Sequence, residues 1–321
     1  ANWVTTASWI FIVMAVLLLL ATSQFAMALV NWLATLLVAP NLLPRMDYSK
    51  GIPAESRTLV VVPTMITSRN AVEDLVEALE VRFLANRDDN LHFALLTDFR
   101  DAASEVLSTD EELSGLAEER ISALNEKYSS DGADQFFLFH RPRKWNAGEA
   151  TWMGYERKRG KLADLNALLR GGKNAFSRVV GDIAVLASVK YVITLDTDTQ
   201  LPRDSARQFA SAMAHPLNRA EFDAASGCVK HGYGILQPRV AVSMPAIDQS
   251  RYARLFGSEP GIDPYTRAIS DVYQDVFGEG SFVGKGIYDV DAFEHALKGR
   301  FPENRILSHD LLEGCYVRSA L

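Results

Sequence analysis

Cysteine and basic charge are both scarce in this sequence, and each shortage excludes a class of protein. Of 321 residues, only Cys228 and Cys315 are cysteines. They form no CxxC and no paired spacing, so neither a disulfide framework nor a zinc site is predicted. The six histidines are scattered singly, without the spacing of a transition-metal site. The net charge of -7 leaves no basic excess, so we expect no nucleic-acid partner.

Charged residues are absent from Trp9 to Val38. A helix that crosses the hydrocarbon core needs about 20 apolar residues, and Trp3 to Thr22 supplies them. Ser23-Gln24 makes a weak break, after which Phe25 to Val38 is either a second short span or, as we favour, an interfacial helix in contact with membrane lipid. The basic start and cleavage site of a signal peptide are not visible. We therefore predict transmembrane and interfacial helices over residues 1–44.

Two prolines and two basic residues mark the end of this apolar region. Pro40 and Pro44 stop the helix, and Arg45 and Lys50 are the first positive charges. Positive residues favour the cytosolic side of a membrane. We therefore expect an anchor in the inner (cytoplasmic) membrane, a linker over residues 45–57, and a cytosolic domain over residues 58–321.

Strand and helix patterns alternate through this domain, which predicts an α/β fold with a mostly parallel sheet. Ligands of such sheets bind beyond the carboxyl ends of the strands. The predicted strands cover residues 58–64, 91–98, 135–140, 191–195 and 234–237, with a turn at Asp131-Gly132. The predicted helices cover residues 72–83, 110–128 and 161–169.

Asp196-Thr197-Asp198 directly follows the apolar run from Tyr191 to Leu195. A spacing of two in extended chain points both carboxylates to one side, where a divalent cation relieves their repulsion. A sugar diphosphate would supply the remaining oxygen ligands. Most isolated DxD sequences are solvated loop acids, but the preceding apolar strand favours a Mg²⁺ or Mn²⁺ site. A calcium loop is excluded, because Leu201 and Arg207 occupy its glycine and glutamate positions.

Two further segments are candidates for chemistry. Asp310 stands at a predicted helix start, where it is either an N-cap or the base that takes a proton from an acceptor hydroxyl. Glu313 is expected to be a capping or surface partner. The four glycines of Gly278–Gly286 fit neither a Walker loop nor a Rossmann fingerprint. They indicate a close ligand or tight turns, and both interpretations stay open.

The order of these segments resembles the processive membrane glycosyltransferases of the cellulose and chitin synthase type. More closely, four long motifs resemble the glycosyltransferase domain of cyclic β-1,2-glucan synthases. They are GYERKRGKLADLN from Gly154, LDTDTQLP from Leu195, GEGSFVGKGIYDVDAF from Gly278 and ENRILSHDLLEG from Glu303. The resemblance covers essentially residues 58–321.

The resemblance implies a GT-A (Rossmann-like) fold and inverting transfer of glucose from UDP-glucose to a growing β-1,2-glucan, with Mg²⁺ or Mn²⁺. Asp310 matches the acid of the family's TED motif, the catalytic base, although His309 replaces the glutamate before it. The implied nucleotide-sugar contacts are Thr64 and Asp98 on the uridine, Lys161 on the diphosphate, and Asp196 with Asp198 on the ribose, phosphates and metal. The implied acceptor or sugar contacts are Gln237, Gly284, Lys285 and His309, with Trp145, Trp152 and Tyr155 as aromatic candidates.

The resemblance also implies parts that these residues do not contain. A downstream QxxRW-like segment, further membrane helices and glycoside-processing domains are expected to be missing or to lie outside residues 1–321. Three alternatives stay open at this point. They are a related synthase of another β-linked polysaccharide, a glycoside hydrolase with two carboxylates, and a non-catalytic membrane scaffold.

Overall fold

A computed structural model describes residues 2–128, 133–240, 250–256, 272–306 and 309–321. The predicted turn at Asp131-Gly132 lies outside these ranges. The chain divides into two compact units. The first comprises residues 1–42, 239–279 and 321, and the second comprises residues 43–238 and 280–320.

Among the described residues, the first unit contains one long apolar helix, α1 (Asn2–Leu37), and two short helices, Arg251–Phe256 and Val272–Phe277. The sequence predicted a break at Ser23-Gln24, but α1 runs through it. Thr22 Oγ1 and Ser23 Oγ donate to the carbonyls of Leu18 and Leu20, both at 2.8 Å. Because these hydroxyl groups are satisfied inside the helix, they do not interrupt it.

The segment Trp9–Leu37 of α1 is long and apolar enough to cross a membrane, by length and composition alone. Buried core helices and signal sequences pass the same test. The large apolar side chains that α1 carries from Trp9 onward are exposed.

Residues 45–57, predicted as a linker, are instead part of the second unit. Ile52 is buried, and its carbonyl accepts a 2.8 Å bond from Asn90 Nδ2. The Met46 amide donates to the Ser211 carbonyl at 3.0 Å. Tyr48, a large apolar ring in this segment, packs against the same core as Ile52. Burial of these side chains attaches the segment to the domain that follows.

The second unit is an α/β domain. Its strands are β1 (Thr58–Ile66), β2 (Leu91–Phe99), β3 (Phe136–Arg141), β4 (Lys144–Asn146), β5 (Thr151–Met153), β6 (Arg178–Val180), β7 (Tyr191–Thr194), β8 (Glu221–Asp223), β9 (Cys228–His231), β10 (Ile235–Leu236), β11 (Gly286–Asp289) and β12 (Ser319–Ala320). Its α-helices are α2 (Arg69–Ala85), α3 (Asp110–Tyr128), α4 (Arg157–Leu169), α5 (Ser205–Ala214), α6 (Val290–Leu297) and α7 (Asp310–Val317).

The main sheet has the strand order β12-β10-β11-β7-β1-β2-β3-β6. Its centre, β7-β1-β2-β3, is parallel throughout. β10 and β12 are also parallel, whereas β11 and β6 run antiparallel to their neighbours. The predicted α/β class, with a mostly parallel sheet and a preceding apolar helix, is confirmed.

Both faces of the central strands are buried, which explains their continuous apolar sequence. In β1, Val60 and Val62 face a core shared with α2, α3 and α5. Leu59 and Val61 face a second core, shared with α4 and α6. This alternation follows from the two-residue period of a strand. The carboxyl ends of β1, β2 and β7 therefore meet at one edge between the two helical layers.

Candidate active site

A cavity of about 290 Å³ opens at that edge of the sheet. It brings together Thr64, Asp98 and Lys161, three residues that the sequence predicted to bind a nucleotide sugar, with Thr197 of the DxD segment. Its lining also includes Pro63, Met65, Phe99, Asp101, Gly154, Arg157 and Lys158.

Asp98 lies at the end of β2 in a buried cluster of charges. Arg141, on the adjacent strand β3, donates from Nε and Nη2 to the two carboxylate oxygens, at 2.8 and 3.0 Å. Lys161 Nζ lies 3.1 Å from Asp98 Oδ2 and donates to the Thr64 carbonyl at 2.5 Å. Burial lowers the pKa of Lys161, an effect that the charge of Asp98 opposes. The predicted uridine and diphosphate contacts are therefore held together before any ligand enters.

The turn before α4 closes over Asp98. A Cβ on Gly154 would lie 2.2 Å from Asp98 Oδ2, so only glycine allows this approach. Glu156 and Arg157 follow in the left-handed region, with φ of 54° and 47°. Arg141 Nη2 donates to the carbonyls of Tyr155 and Arg157, which holds this unusual turn in place. The helix starts at Arg157, four residues before the predicted start, and so carries Lys158 toward the cavity.

The sequence predicted extended chain at Asp196 and Asp198, but the two residues belong to a turn just beyond the end of β7. In this turn the Thr199 amide donates to the Asp196 carbonyl at 3.1 Å. Asp196 is partly buried and meets two lysines. Lys158 Nζ lies 2.8 Å from Oδ1, and Lys285 Nζ lies 2.6 Å from Oδ2. Burial of Asp196 favours its neutral form, but the hydrogen bonds and charges of the two lysines outweigh this and lower its pKa. Asp198 is exposed.

The backbone of the DxD turn is fixed by α2, through two residues to which the sequence reasoning gave no role. Buried Arg82 donates to the carbonyls of Thr197 and Thr199, with three bonds of 2.8 to 3.1 Å. Asn86 donates to the Leu201 carbonyl at 3.2 Å and accepts from the Ala206 amide at 3.1 Å. Arg82 comes three residues after buried Leu79, on the apolar stripe of α2. A charged residue at such a position is the sequence signal that could have pointed to Arg82.

The FVGKG segment connects the DxD turn to the predicted base. The Gly284 carbonyl accepts a 2.6 Å bond from Lys158 Nζ. A Cβ on Gly284 would lie 2.6 Å from Asp310 Oδ2, so the loop backbone lies directly against that carboxylate. Gln237 Oε1 accepts from the Val283 amide at 3.0 Å. Gly284 and Gln237, both predicted acceptor contacts, therefore belong to one loop system with Lys285.

Asp310 is the first residue of α7, and the preceding His309 occupies the N-cap position without a side-chain capping bond. His309 Nδ1 lies 2.8 Å from Glu313 Oε1 and 3.7 Å from Asp310 Oδ1. Glu313, expected at the surface or in a cap, is buried because His309 pairs with it. Desolvation raises the pKa of Glu313, and His309 opposes the rise. Ligand atoms of these three residues lie within 4.8 Å of one another, close enough to hold a metal ion.

The aromatic candidates lie on and beside the β4-β5 hairpin. Trp145 and Trp152 are paired across it with ring centroids 5.8 Å apart, and Trp145 is half exposed. Tyr155 follows the hairpin. Burial and a hydrogen bond to Glu303 raise the pKa of Tyr155 to about 12, so it stays protonated at neutral pH. The exposed face of Trp145 is the surface of this hairpin that suits contact with a sugar ring.

The DxD turn supplies two carboxylates, of which Asp196 is paired with two lysines and Asp198 is exposed. Carboxylate oxygens are the ligands that Mg²⁺ and Mn²⁺ prefer. The Asp196 side chain is 38% exposed, and the neighbouring Thr197 lines the cavity. Two carboxylates leave coordination positions for phosphate oxygens and water, as is usual for Mg²⁺ at phosphate-binding sites.

Comparison with known proteins agrees with the motifs. No family model matches the chain. The "Cyclic beta-(1,2)-glucan synthase NdvB" of Rhizobium meliloti (strain 1021) is 47% identical over 311 residues, 97% of this chain. The chain is homologous to one segment of a cyclic β-(1,2)-glucan synthase. That segment is 11% of the length of NdvB.

A solved structure of an active-site mutant of LgtC is also similar, with a TM-score of 0.31 and 11% identity. The match covers 82% of this chain and 71% of that one. A TM-score this low shows nothing about the site.

Proposed function

We propose that this chain is the glycosyltransferase segment of a cyclic β-1,2-glucan synthase, with a GT-A fold. It takes UDP-glucose as donor and elongates a β-1,2-glucan with inversion at the anomeric carbon. The observation that carries the proposal is the 47% identity to NdvB over 97% of the chain. The cavity in which Thr64, Asp98 and Lys161 meet the DxD turn supports it.

Different residues around the cavity are proposed to bind different parts of the donor. Thr64 and Asp98 are proposed to bind the uridine at the ends of β1 and β2. Asp196 and Asp198 would hold Mg²⁺ or Mn²⁺, which supplies positive charge for the diphosphate leaving group. Lys158 and Lys161, which line the cavity, and Lys285, which contacts Asp196, add further positive charge. Fixed charges in a partly dehydrated site stabilise developing negative charge without reorganisation.

Asp310 is the proposed base, because inverting transfer requires removal of a proton from the acceptor hydroxyl. Its carboxylate is positioned by the contact with Gly284 and lies near the His309-Glu313 pair. That pair is buried and gives Asp310 a polar neighbour. Gln237, Lys285, His309 and Trp145 are proposed to line the acceptor path. Membrane lipid around α1 would hold the domain at the inner face of the cytoplasmic membrane.

The test of donor identity is a competition titration with the detergent-solubilised chain. In the presence of Mn²⁺, UDP should bind at least about tenfold more tightly than ADP or GDP, a difference of about 1.4 kcal/mol. Product linkage after incubation with UDP-glucose and a β-1,2-glucan acceptor tests the transfer itself. Equal affinity for the three nucleotides, or hydrolysis of the glucan without a nucleotide sugar, would contradict the proposal.

A further inference from the structure

Each carboxylate oxygen of Asp196 is in contact with a different lysine. Lys158 Nζ lies 2.8 Å from Oδ1, and Lys285 Nζ lies 2.6 Å from Oδ2. The two lysines come from distant parts of the chain, α4 and the FVGKG loop. Their side chains are only 23% and 22% exposed, so both are positioned by the fold.

These contacts place two positive charges where a divalent cation would bind. A cation on either oxygen of Asp196 would lie within a few ångströms of an ammonium group, and like charges at that distance repel strongly in a partly buried site. Asp196 alone does not balance the charge of both lysines. Asp198, the second carboxylate of the turn, interacts electrostatically with Arg82, so it also has a cationic neighbour and does not offset the two lysines. A metal ion without an accompanying anion therefore meets an unfavourable field.

A diphosphate changes this balance. It brings more than one negative charge and several acceptor oxygens to the same side of the cavity, which an ammonium group binds well. Lys161, the predicted diphosphate contact, is only 5% exposed and is already bound to Asp98 and the Thr64 carbonyl. Lys158 and Lys285 are more exposed, and they bind Asp196, one of the two carboxylates proposed to hold the cation. They are thus better placed than Lys161 to exchange a carboxylate for a phosphate.

We infer that Lys158 and Lys285 make metal binding at Asp196 conditional on the diphosphate. Without a ligand they hold both oxygens of Asp196 and oppose entry of the metal ion alone. When the nucleotide and the cation enter together, the lysines transfer their hydrogen bonds to the diphosphate and release Asp196 to the cation. This inference rests on the proposed function. Lys158 and Lys285 then have two roles. They position the donor, and they disfavour binding of the metal ion without the nucleotide.

The inference predicts opposite effects of one substitution on two binding constants. Lys158→Met keeps the side-chain volume and removes the charge. In the full chain in detergent, Mn²⁺ alone should then bind about tenfold more tightly, as followed by loss of the free Mn²⁺ electron paramagnetic resonance signal. The affinity for UDP in saturating Mn²⁺ should fall about tenfold. The factor by which UDP raises Mn²⁺ affinity, ordinarily 5- to 150-fold for coupled sites, should fall accordingly.

Lys285→Met should show the same pair of changes, and the double variant should bind Mn²⁺ alone most tightly. Exposed Lys173 serves as the matched control, because Lys173→Met removes the same charge outside the cavity and should change neither constant. If the lysines only stabilise the fold, both constants will weaken together or stay unchanged in both variants. Either result overturns the inference. Failure of the wild-type chain to bind UDP in Mn²⁺ would instead overturn the proposed function.

Discussion

The backbone of Gly284 lies against the carboxylate of Asp310, so that a Cβ at this position would come within 2.6 Å of Oδ2. The same glycine has a φ of 80°, and its carbonyl accepts a hydrogen bond from Lys158, which also binds Asp196. One loop residue thus contacts the proposed base and, through a lysine, the DxD turn.

Gly284→Ala should therefore disturb Asp310 without unfolding the domain. The new Cβ meets the carboxylate and also strains a left-handed backbone. Because small misplacements of reacting groups are costly, we expect glucosyl transfer to fall about 10²-fold, measured as UDP release with a glucan acceptor. Gly299→Ala is the matched control, since Gly299 has a φ of 70° with nothing within 4 Å of an added Cβ. Equal rates in the two variants would show that the Gly284 contact is unimportant.

Asp310→Asn should separate transfer from donor binding. Asparagine has the size of aspartate but does not accept the proton of the acceptor hydroxyl. Transfer should fall by about 10² or more, the usual range for loss of a general base. UDP binding in Mn²⁺ should persist, as titration calorimetry would show. Retained transfer would move the role of base to another residue, with buried Glu313 the next to substitute.

Arg82→Met should weaken UDP binding by removing the hydrogen bonds that hold the backbone of the DxD turn. Three hydrogen bonds from the charged guanidinium to the carbonyls of Thr197 and Thr199 are lost, which costs about 2 kcal/mol or more of folding stability. UDP affinity in Mn²⁺ should fall with it, because the DxD turn loses its anchor. Arg87→Met, at an exposed position just beyond the same helix, is the control and should leave affinity unchanged. Unaltered UDP affinity in Arg82→Met would contradict the anchoring role.

Folding stability should decrease as the pH falls from 6.5 to 4. Burial lowers the pKa of His92 and of His140 to about 4, assisted at His92 by the charge of Arg57 and opposed at His140 by that of Asp98. Between these values the unfolded chain binds more protons than the folded chain, so protonation favours unfolding. At pH 5 each histidine should cost about 2 kcal/mol relative to pH 7. Urea midpoints that vary less with pH in His92→Phe than in the wild type would support this, and an unchanged slope would refute it.

The sequence predicted the central parallel sheet because each of its strands is a continuous apolar run. It also predicted a charged helical segment around Asp110 to Tyr128, where α3 lies. The sequence also predicted a break inside α1, because Ser23 and Gln24 are polar. The sequence alone does not show that the Ser23 hydroxyl is hydrogen-bonded within the helix. The sequence predicted residues 45–57 to be a linker, because Ile52 packs against residues that are far from it in the sequence.

The strand pattern predicted site residues only at strand ends, whereas Lys161, Lys285 and Asp310 were predicted from the resemblance. Thr64, Asp98 and Asp196 follow apolar runs, so their meeting at one edge follows from the parallel topology. Arg141 and Lys158 were not predicted as site residues, because their contacts depend on which strands are neighbours and where α4 starts. The pairing of Lys285 with Asp196 likewise joins segments about 90 residues apart, a contact that no local pattern encodes.

The most direct test of the account is a calorimetric titration of UDP into the chain with and without Mn²⁺, in the wild type and in Asp198→Ala. Asp198 is exposed, so its removal should leave the fold intact. Glu77→Ala, at an exposed position of α2, is the control for loss of one negative charge. The account predicts Mn²⁺-dependent UDP binding in the wild type and in Glu77→Ala, and its loss in Asp198→Ala. Equal, metal-independent binding in all three proteins, or none in the wild type, would contradict it.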